Sequence, residues 1–548
     1  MEASRTSIDA ERRPPSWGLI LLYLIVLASG MLFHFASGSE SSELGSHPDE
    51  AAHFVTGLMV RDYLASGFHE SPLRYADEYY RHYPKIGLGI WPPVFYLAQA
   101  LWAAVFHGGV ATILRMVLAL GVALAMVMGW WLWRVFGWVE AFTGAVLLTA
   151  LPLVQQYSNM VMAETLVALL MFGAVCYFAR YLEGAEWSGA IGFGICGGLA
   201  IMTKGTGLAL ALVPLLAILF TRRFALLKRP SLWVAALIVA VIAGPWTWHF
   251  RNQGRGGWEE PNPSLHFTTM ALGYYAREIC VALGWMLVAA AALGVIFLFL
   301  PRRPKQQKPA IAVCSLSLVI AVWIFQCLTP VGLEARHLMP AMPALIVLAM
   351  AGLHGLGRCT TVRGVIAAGM LAIFFLAPDL PHSPAPEPGY GSIGNASALS
   401  PFRIPRKQWG GFELLAEAAL AGGQGPILVA SDARGEGMFI ADVAINDPHR
   451  PSYIVERASK LLASSTWSGS GYQSFYQTPG QVLAALEKEK IRYLVTDSSV
   501  AHPSEHERLL EKIAETLPPM AESNIVRDGV PLGSAGLYPI PANRPAPR

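Results

Sequence analysis

The sequence predicts a mainly α fold: a polytopic membrane helical bundle of about eleven spans, with interface helices on its outer face and a small C-terminal α/β domain. Three observations predict it. The 548 residues are 54% hydrophobic and only 14% charged, with mean hydropathy +0.44, whereas ordinary soluble domains carry about 25% charged residues. Apolar runs of near-bilayer length recur as far as Leu376. Beyond residue 400 the pattern changes to short apolar runs alternating with helical stretches.

The first run, Trp17–Ser37, has the length of a bilayer span. It exceeds a signal-peptide core and lacks a clear small-residue cleavage site, so it reads as a retained anchor. Ten further runs follow: Val110–Trp133, Trp138–Val154, Thr165–Leu182, Trp187–Met202, Thr206–Phe220, Leu232–Phe250, Ile279–Leu300, Ala310–Cys327, His337–Leu353 and Val362–Leu376. Another segment, Trp91–Phe106, opens with Pro92-Pro93 and is short for a crossing. The six cysteines are scattered singly, without metal-ligand spacing. A net charge of +3 gives no footing for nucleic acid.

Charge settles sidedness. Three loops are basic and free of acids: Arg222, Arg223, Lys228 and Arg229; Arg302, Arg303, Lys305 and Lys308; Arg358 and Arg363. The N-terminal tail adds Arg5, Arg12 and Arg13. Basic short loops stay cytoplasmic, so an even number of spans must separate the tail from Arg222. Leaving Trp91–Phe106 along the outer face satisfies that parity. The expected organisation is a cytoplasmic tail (1–16), a membrane domain (17–376) whose first outer loop is 38–109, a Pro/Gly/Ser-rich linker (377–400) and a soluble domain (401–548) on the outer side. In that domain Ile427–Ala430 and Tyr493–Val495 read as strands and Gly480–Lys490 as a helix. The protein is then multi-pass in the plasma (inner) membrane.

Polar residues gather at the outer mouths of the spans. Asp49-Glu50 follows Pro48, and Asp49 is placed to cap the helix that runs to about Ser66, where Gly67 is a stop. A cap does not explain why Glu50 follows, or why His47 and His53 flank the pair. Lys85, Glu164 and Lys204 sit at other outer ends, where snorkelling lysines are also expected. Glu334, Arg336 and His337 mark the mouth of the tenth span, where Glu334 and Arg336 can pair.

The order of these pieces resembles one family. The Asp-Glu pair comes first, then "PPVFYL", an acid before "TLVALL", "MTKG", "GPW" and "ARHLMPAMPAL". That series is similar to the C-type (GT-C) glycosyltransferases that use polyprenyl-phosphate sugars, in the protein O-mannosyltransferase and lipid A aminoarabinose transferase branch. The resemblance covers roughly Trp17–Leu353 and leaves the C-terminal domain aside. It implies transfer of a sugar from a polyprenyl-phosphate carrier to an acceptor on the outer, periplasmic face. Asp49 then matches the essential acid of the first outer loop, Glu50 its partner and Glu164 the second outer-loop acid, usually Asp. Where the family often has Lys before the Pro-Pro, this chain has Trp91, with Lys85 six residues upstream.

The residues suit such chemistry. A departing phosphate needs fixed positive charge, for which Lys85, Lys204, Arg251, Arg255, Arg277 and Arg336 are candidates, arginine offering bidentate contact. The acceptor hydroxyl needs a base; Asp49 is the first choice, Glu50 and Glu164 are further acids, and His53 and His337 are further candidates. Direct displacement would invert the anomeric centre and needs no metal. His47, His53, His82 and the acids could assemble ligands for a divalent ion, but no spacing is diagnostic. The expected partners are the lipid-linked sugar, a lipid, glycan or protein acceptor, and the bilayer. Two other classes stay open, a transporter and a non-catalytic envelope assembly protein. A transporter would place charge at the bilayer midplane or show an internal repeat; neither is seen.

Overall fold

The computed structural model describes residues 14–541, apart from positions 88, 108, 256–257, 259, 261, 301–307, 358, 377–407, 466–470 and 528. The tail arginines, Arg302, Arg303, Lys305, Arg358 and the linker at 377–400 lie outside the described residues.

The membrane part begins with α1 (Ser16–Ser37), closed by Gly38 in the left-handed region at φ 66°. Three shorter helices follow it, α2 (Glu50–Ala65), α3 (Pro72–His82) and α4 (Val94–Phe106), and then the long α5 (Val110–Val135). Ser71 starts α3 by accepting the Arg74 N–H, with Pro72 at the first helical position. The bundle continues with α6 (Trp138–Ala150), α7 (Pro152–Ser158), α8 (Glu164–Gly184), α9 (Trp187–Ile201), α10 (Leu212–Thr221) and α11 (Pro230–His249). It ends with α12 (Leu265–Leu283), α13 (Trp285–Phe299), α14 (Ala310–Leu328), α15 (Met342–Leu356) and α16 (Thr360–Leu376). Seven-residue 3₁₀ segments, Gly205–Ala211 and Ala335–Ala341, lead into α10 and α15.

Among the described residues six helical stretches are long and apolar enough to cross a bilayer, or eight if two bent pairs each count as one. Trp187–Ile201, Gly205–Thr221 and Thr360–Leu376 are apolar but shorter, and so is Val94–Phe106. Each expected span therefore has a helical counterpart, but two are not straight. The expected span Ile279–Leu300 is instead the end of α12 and all of α13, which meet at 108°. Gly284, at φ 75°, makes that corner, a conformation costly for any residue with a Cβ. Pro152 bends α6 and α7 by 63°, because a proline disfavours helical geometry in the residue before it.

Helices α8, α14 and the Ala335–Leu356 stretch form the centre, with 72%, 67% and 83% of their apolar windows buried, whereas α1 and α11 are rim helices at 22%. Close approach of α13 and α15 depends on two glycines. A Cβ on Gly294 would lie 2.0 Å from the Leu348 carbonyl oxygen, and one on Gly352 would lie 2.1 Å from that of Ala290. Small residues at such crossings let helix backbones pack where lipid offers no hydrophobic drive.

The C-terminal domain is α/β. It contains α17 (Glu413–Ala421), β1 (Ile427–Ala430), α18 (Ala433–Asn446), β2 (Val455–Arg457), α19 (Ala458–Leu461) and a small pair, β3 (Ala463–Ser464) with β4 (Gln473–Ser474). Then come α20 (Pro479–Lys488), β5 (Tyr493–Asp497), α21 (Glu505–Ala514), β6 (Ala521–Arg527) and β7 (Val530–Pro539). The main sheet has the order β2-β1-β5-β7-β6; β1 runs parallel to β2 and β5, with Ile427 opposite Tyr493, and β7 runs antiparallel to β5 and β6.

This domain is docked on the first loop. Glu43 accepts N–H groups from Gly411 (2.7 Å), Phe412 (3.0 Å) and Glu413 (3.1 Å), capping α17 from outside its own domain. Trp409 donates its N–H to Ser42 and accepts that of Glu43. Further along, His82 donates to the Tyr453 carbonyl, Tyr83 bonds Asp447, and Arg450 reaches Asp62 at 3.1 Å. A Cβ on Gly437 of α18 would touch both Ala51 and Lys85. Helix α2 thus lies under α18, buried on every face from Glu50 to Val60, more enclosed than an amphipathic interface helix would be.

Candidate active site

Four polar segments converge at one end of the bundle, beneath the C-terminal domain. Asp49 stands at the start of α2, Glu164 is the first residue of α8, Lys204 follows α9, and Glu334 and Arg336 precede α15. The two most buried helical stretches, α8 and Ala335–Leu356, deliver Glu164 and Arg336 to the same point, so the network is anchored in the centre of the bundle.

Arg336 is its hub. Its Nη1 donates to Asp49 Oδ2 at 3.0 Å and its Nη2 to Glu334 Oε1 at 2.9 Å; its Nε lies 2.7 Å from Glu334 Oε2 and 3.8 Å from Glu164 Oε1. Lys204 pairs with Glu164. Three carboxylates thus face two cations. Burial leaves such charges viable only when each finds a partner.

Asp49 does not cap its helix through its side chain; the carboxylate turns to Arg336 instead, because a buried guanidinium is the stronger partner. Its backbone N–H donates to His47 Nδ1 at 2.9 Å. An accepting Nδ1 places the ring proton on Nε2, which faces Glu334 Oε2 at 3.3 Å. His47 is thereby held neutral, and burial also pushes its pKa below the ordinary value. Burial alone would raise the Asp49 carboxyl, but the positive charge of Arg336, bonded to it at 3.0 Å, outweighs burial and holds it below the usual range. Burial opposes ionisation of Glu334 in the same way, yet Arg336 and His47 bring it down to about 2.

The other expected residues separate into groups. His53 bonds Tyr96 at 2.9 Å and packs 4.3 Å from the Trp91 ring; burial holds it down to about 4. His337 bonds Tyr275 of α12 at 2.9 Å. Glu50 directs its two oxygens at backbone N–H groups of Ser46 (3.1 Å) and Val161 (3.0 Å). Lys85 is buried at the seam with the C-terminal domain, where Nζ donates to the Ala433 carbonyl at 3.0 Å; burial lowers its pKa to about 8. Arg251, Arg255 and Arg277 are exposed. Arg251 stacks on Trp248 and donates to that residue's carbonyl, and Arg255 stacks on Trp258. Of the six candidate cations, only Lys204 and Arg336 bond the carboxylates.

The sequence marks His47 and Glu334 beside the site without giving either a catalytic or phosphate-binding role; the expected Glu334–Arg336 pair is present. Tyr96 and Tyr275 carry no local signal, since only the fold brings them to His53 and His337. Among the described residues, no three His, Cys, Asp or Glu side chains are grouped to hold a metal ion.

Residues 91–249 match the family described as dolichyl-phosphate-mannose-protein mannosyltransferase. The structure aligns with that of ArnT from Cupriavidus metallidurans bound to undecaprenyl phosphate, over 96% of this chain and 98% of that one, at a TM-score of 0.60 and 15% identity. The chain has the GT-C fold. The same ArnT in its apo state gives a TM-score of 0.55 at 14% identity, again over 96% and 98% of the two chains. No curated protein matches the chain in sequence. In GT-C terms the ion network lies at the mouths of the membrane helices, and the alignment with ArnT extends through the C-terminal domain that the motif series leaves aside.

Proposed function

We propose that this protein is a membrane glycosyltransferase that moves a sugar from a polyprenyl-phosphate donor to an acceptor hydroxyl on the outer, periplasmic face, by direct inverting displacement. The observation that supports it most is the buried network of Asp49, Glu164, Glu334, Lys204 and Arg336 at one mouth of a GT-C bundle. The ArnT structure it resembles was solved with undecaprenyl phosphate bound.

Asp49 is the base. It keeps 11% of its side chain exposed, whereas Glu164 keeps 1% and is tied to Lys204; Glu334 keeps 16%, but both its oxygens are taken by Arg336 and His47. Its pKa lies far below neutrality, which ensures ionisation but weakens it as a base, since base catalysis works best near the operating pH. Phosphate binding offers the remedy. A donor phosphate drawn to Arg336 and Lys204 competes with the carboxylates for those cations, and each bond Arg336 yields makes Asp49 more basic. The same cations then stabilise the leaving phosphate as its charge grows. The hydroxyl oxygen attacks the anomeric carbon while its proton passes to Asp49, and the carbon–oxygen bond to phosphate breaks with its electrons leaving on the phosphate. This route uses no metal. Glu164 and Glu334 hold the cations in place.

Purified protein given a polyprenyl-phosphate sugar and candidate acceptors should release free polyprenyl phosphate in step with glycosylated product. Profiling lipid-linked sugars in a deletion strain should show the donor accumulating and name both sugar and acceptor. A strain with an unchanged lipid-linked pool and a fully modified envelope would refute the proposal. A C-terminal reporter active only in the cytoplasm would refute the outward-facing site.

A further inference from the structure

Glu50 sits next to the proposed base, yet its side chain points away from the role its position suggests. It is 3% exposed. Oε2 accepts the N–H of Ser46 at 3.1 Å, and Oε1 accepts the N–H of Val161 at 3.0 Å. The first donor belongs to the turn that bears His47 and Asp49. The second belongs to the link between α7 and α8, three residues before Glu164. These segments are 111 residues apart in sequence, and one carboxylate holds both.

We propose that Glu50 is a positioning residue that fixes the spacing between Asp49 and Glu164 by clamping their two loops together. This rests on the reaction proposed above. Buried backbone N–H groups need acceptors, and a carboxylate supplies stronger hydrogen bonds than a neutral oxygen. The turn on the Asp49 side is closed independently, by Glu50 N–H to the His47 carbonyl at 3.0 Å and by Asp49 N–H to His47 Nδ1. The clamp therefore joins a stiff turn to the start of a central helix. Arg336 measures the result, since it must reach Asp49 at 3.0 Å and Glu164 at 3.8 Å together. Small changes matter at such a point, because a misplacement of about 1 Å can cost about 10²-fold in rate. An aspartate at this position would be one methylene too short to span the two N–H groups, which gives glutamate a reason of its own beside Asp49.

The test compares Glu50→Gln, Glu50→Ala and the unaltered enzyme, measuring kcat and KM for the lipid donor and hydrogen exchange in peptides containing Ser46 and Val161. Gln keeps one fully competent acceptor oxygen, so Glu50→Gln should retain kcat within about tenfold, while Glu50→Ala should lose about 10²-fold. KM for the donor should stay unchanged in both. Exchange at Val161 should quicken most in Glu50→Ala, with Gln between. Equal inactivity of Gln and Ala with exchange protection intact would overturn the proposal, because it would mean that the charge acts on the reacting atoms. Near-normal kcat in Glu50→Ala would overturn it too. If the unaltered enzyme transferred no sugar, the proposed reaction would fall, and the exchange comparison would still decide the clamp.

Discussion

Replacing Asp49 with Asn tests the chemistry at its centre. The two side chains have the same shape, and Asn keeps an oxygen that can accept from Arg336, now 3.0 Å from Asp49 Oδ2. The backbone N–H to His47 Nδ1 is untouched. Structurally the change therefore removes one carboxylate from three that face two cations. At most it forfeits one charge-assisted hydrogen bond, about 1.5–3 kcal/mol, and relief of crowding among the acids offsets part of that. Catalytically it removes the proposed proton acceptor, which typically contributes about 10²–10⁴-fold, equivalent to about 3–5 kcal/mol of barrier. The assay is single-turnover transfer from a labelled polyprenyl-phosphate sugar, with a melting curve in the same detergent. The expected result is a rate loss of at least about 10²-fold in a protein that still folds and inserts. Transfer within tenfold of the unaltered enzyme, with an unchanged melting curve, would remove Asp49 from the base role.

Other perturbations read other parts of the fold. Lys204→Met leaves Glu164, which is 1% exposed, with only the more distant Arg336 at 3.8 Å, and should cost up to about 3–5 kcal/mol of stability; adding Glu164→Gln should restore the melting temperature but not transfer. Gly352→Val places a side chain 2.1 Å from the Ala290 carbonyl and should lower the yield of folded protein in detergent, whereas Gly364→Ala, with open space around it, should not. Burial holds folded His53 to about 4, against 6.5 when exposed. Between these values the unfolded chain binds the extra proton, so stability is complete above pH 6.5 and falls on acidification toward pH 4, by up to about 3 kcal/mol. His53→Gln should flatten that slope in melting curves recorded across the window.

What could be read in advance depended on how local the cause was. The spans and the three basic loops follow from runs of one residue type, and the α/β strands from short apolar stretches between turns. Asp49 and Arg336 were legible because their motifs stand in a fixed order, each beside a span. The corner at Gly284 was not, because a glycine within an apolar run reads the same whether the helix continues or turns. The Asp49 cap was expected because Pro48-Asp49 is a sound start signal; the bond to Arg336, 287 residues away, overrode it. Loop membership alone does not place a cation in the network. Arg251, Arg255 and Arg277 share a face with the network in sequence, but their side chains are exposed, and burial is a property of packing rather than of loop membership.

The Glu43 cap on α17 has a consequence in time. Its acceptor and the Gly411 donor are 368 residues apart, so at about 5–20 residues per second the first is made about 20–70 s before the second. Throughout that interval the turn carrying Asp49 has no roof, and Glu43, Ser42 and Lys85 lack the partners that will bury them. That end of the molecule is therefore closed only once the C-terminal domain has been made. A chain that stopped before Trp409 would lack the partners that Glu43, Ser42 and Lys85 take from the C-terminal domain.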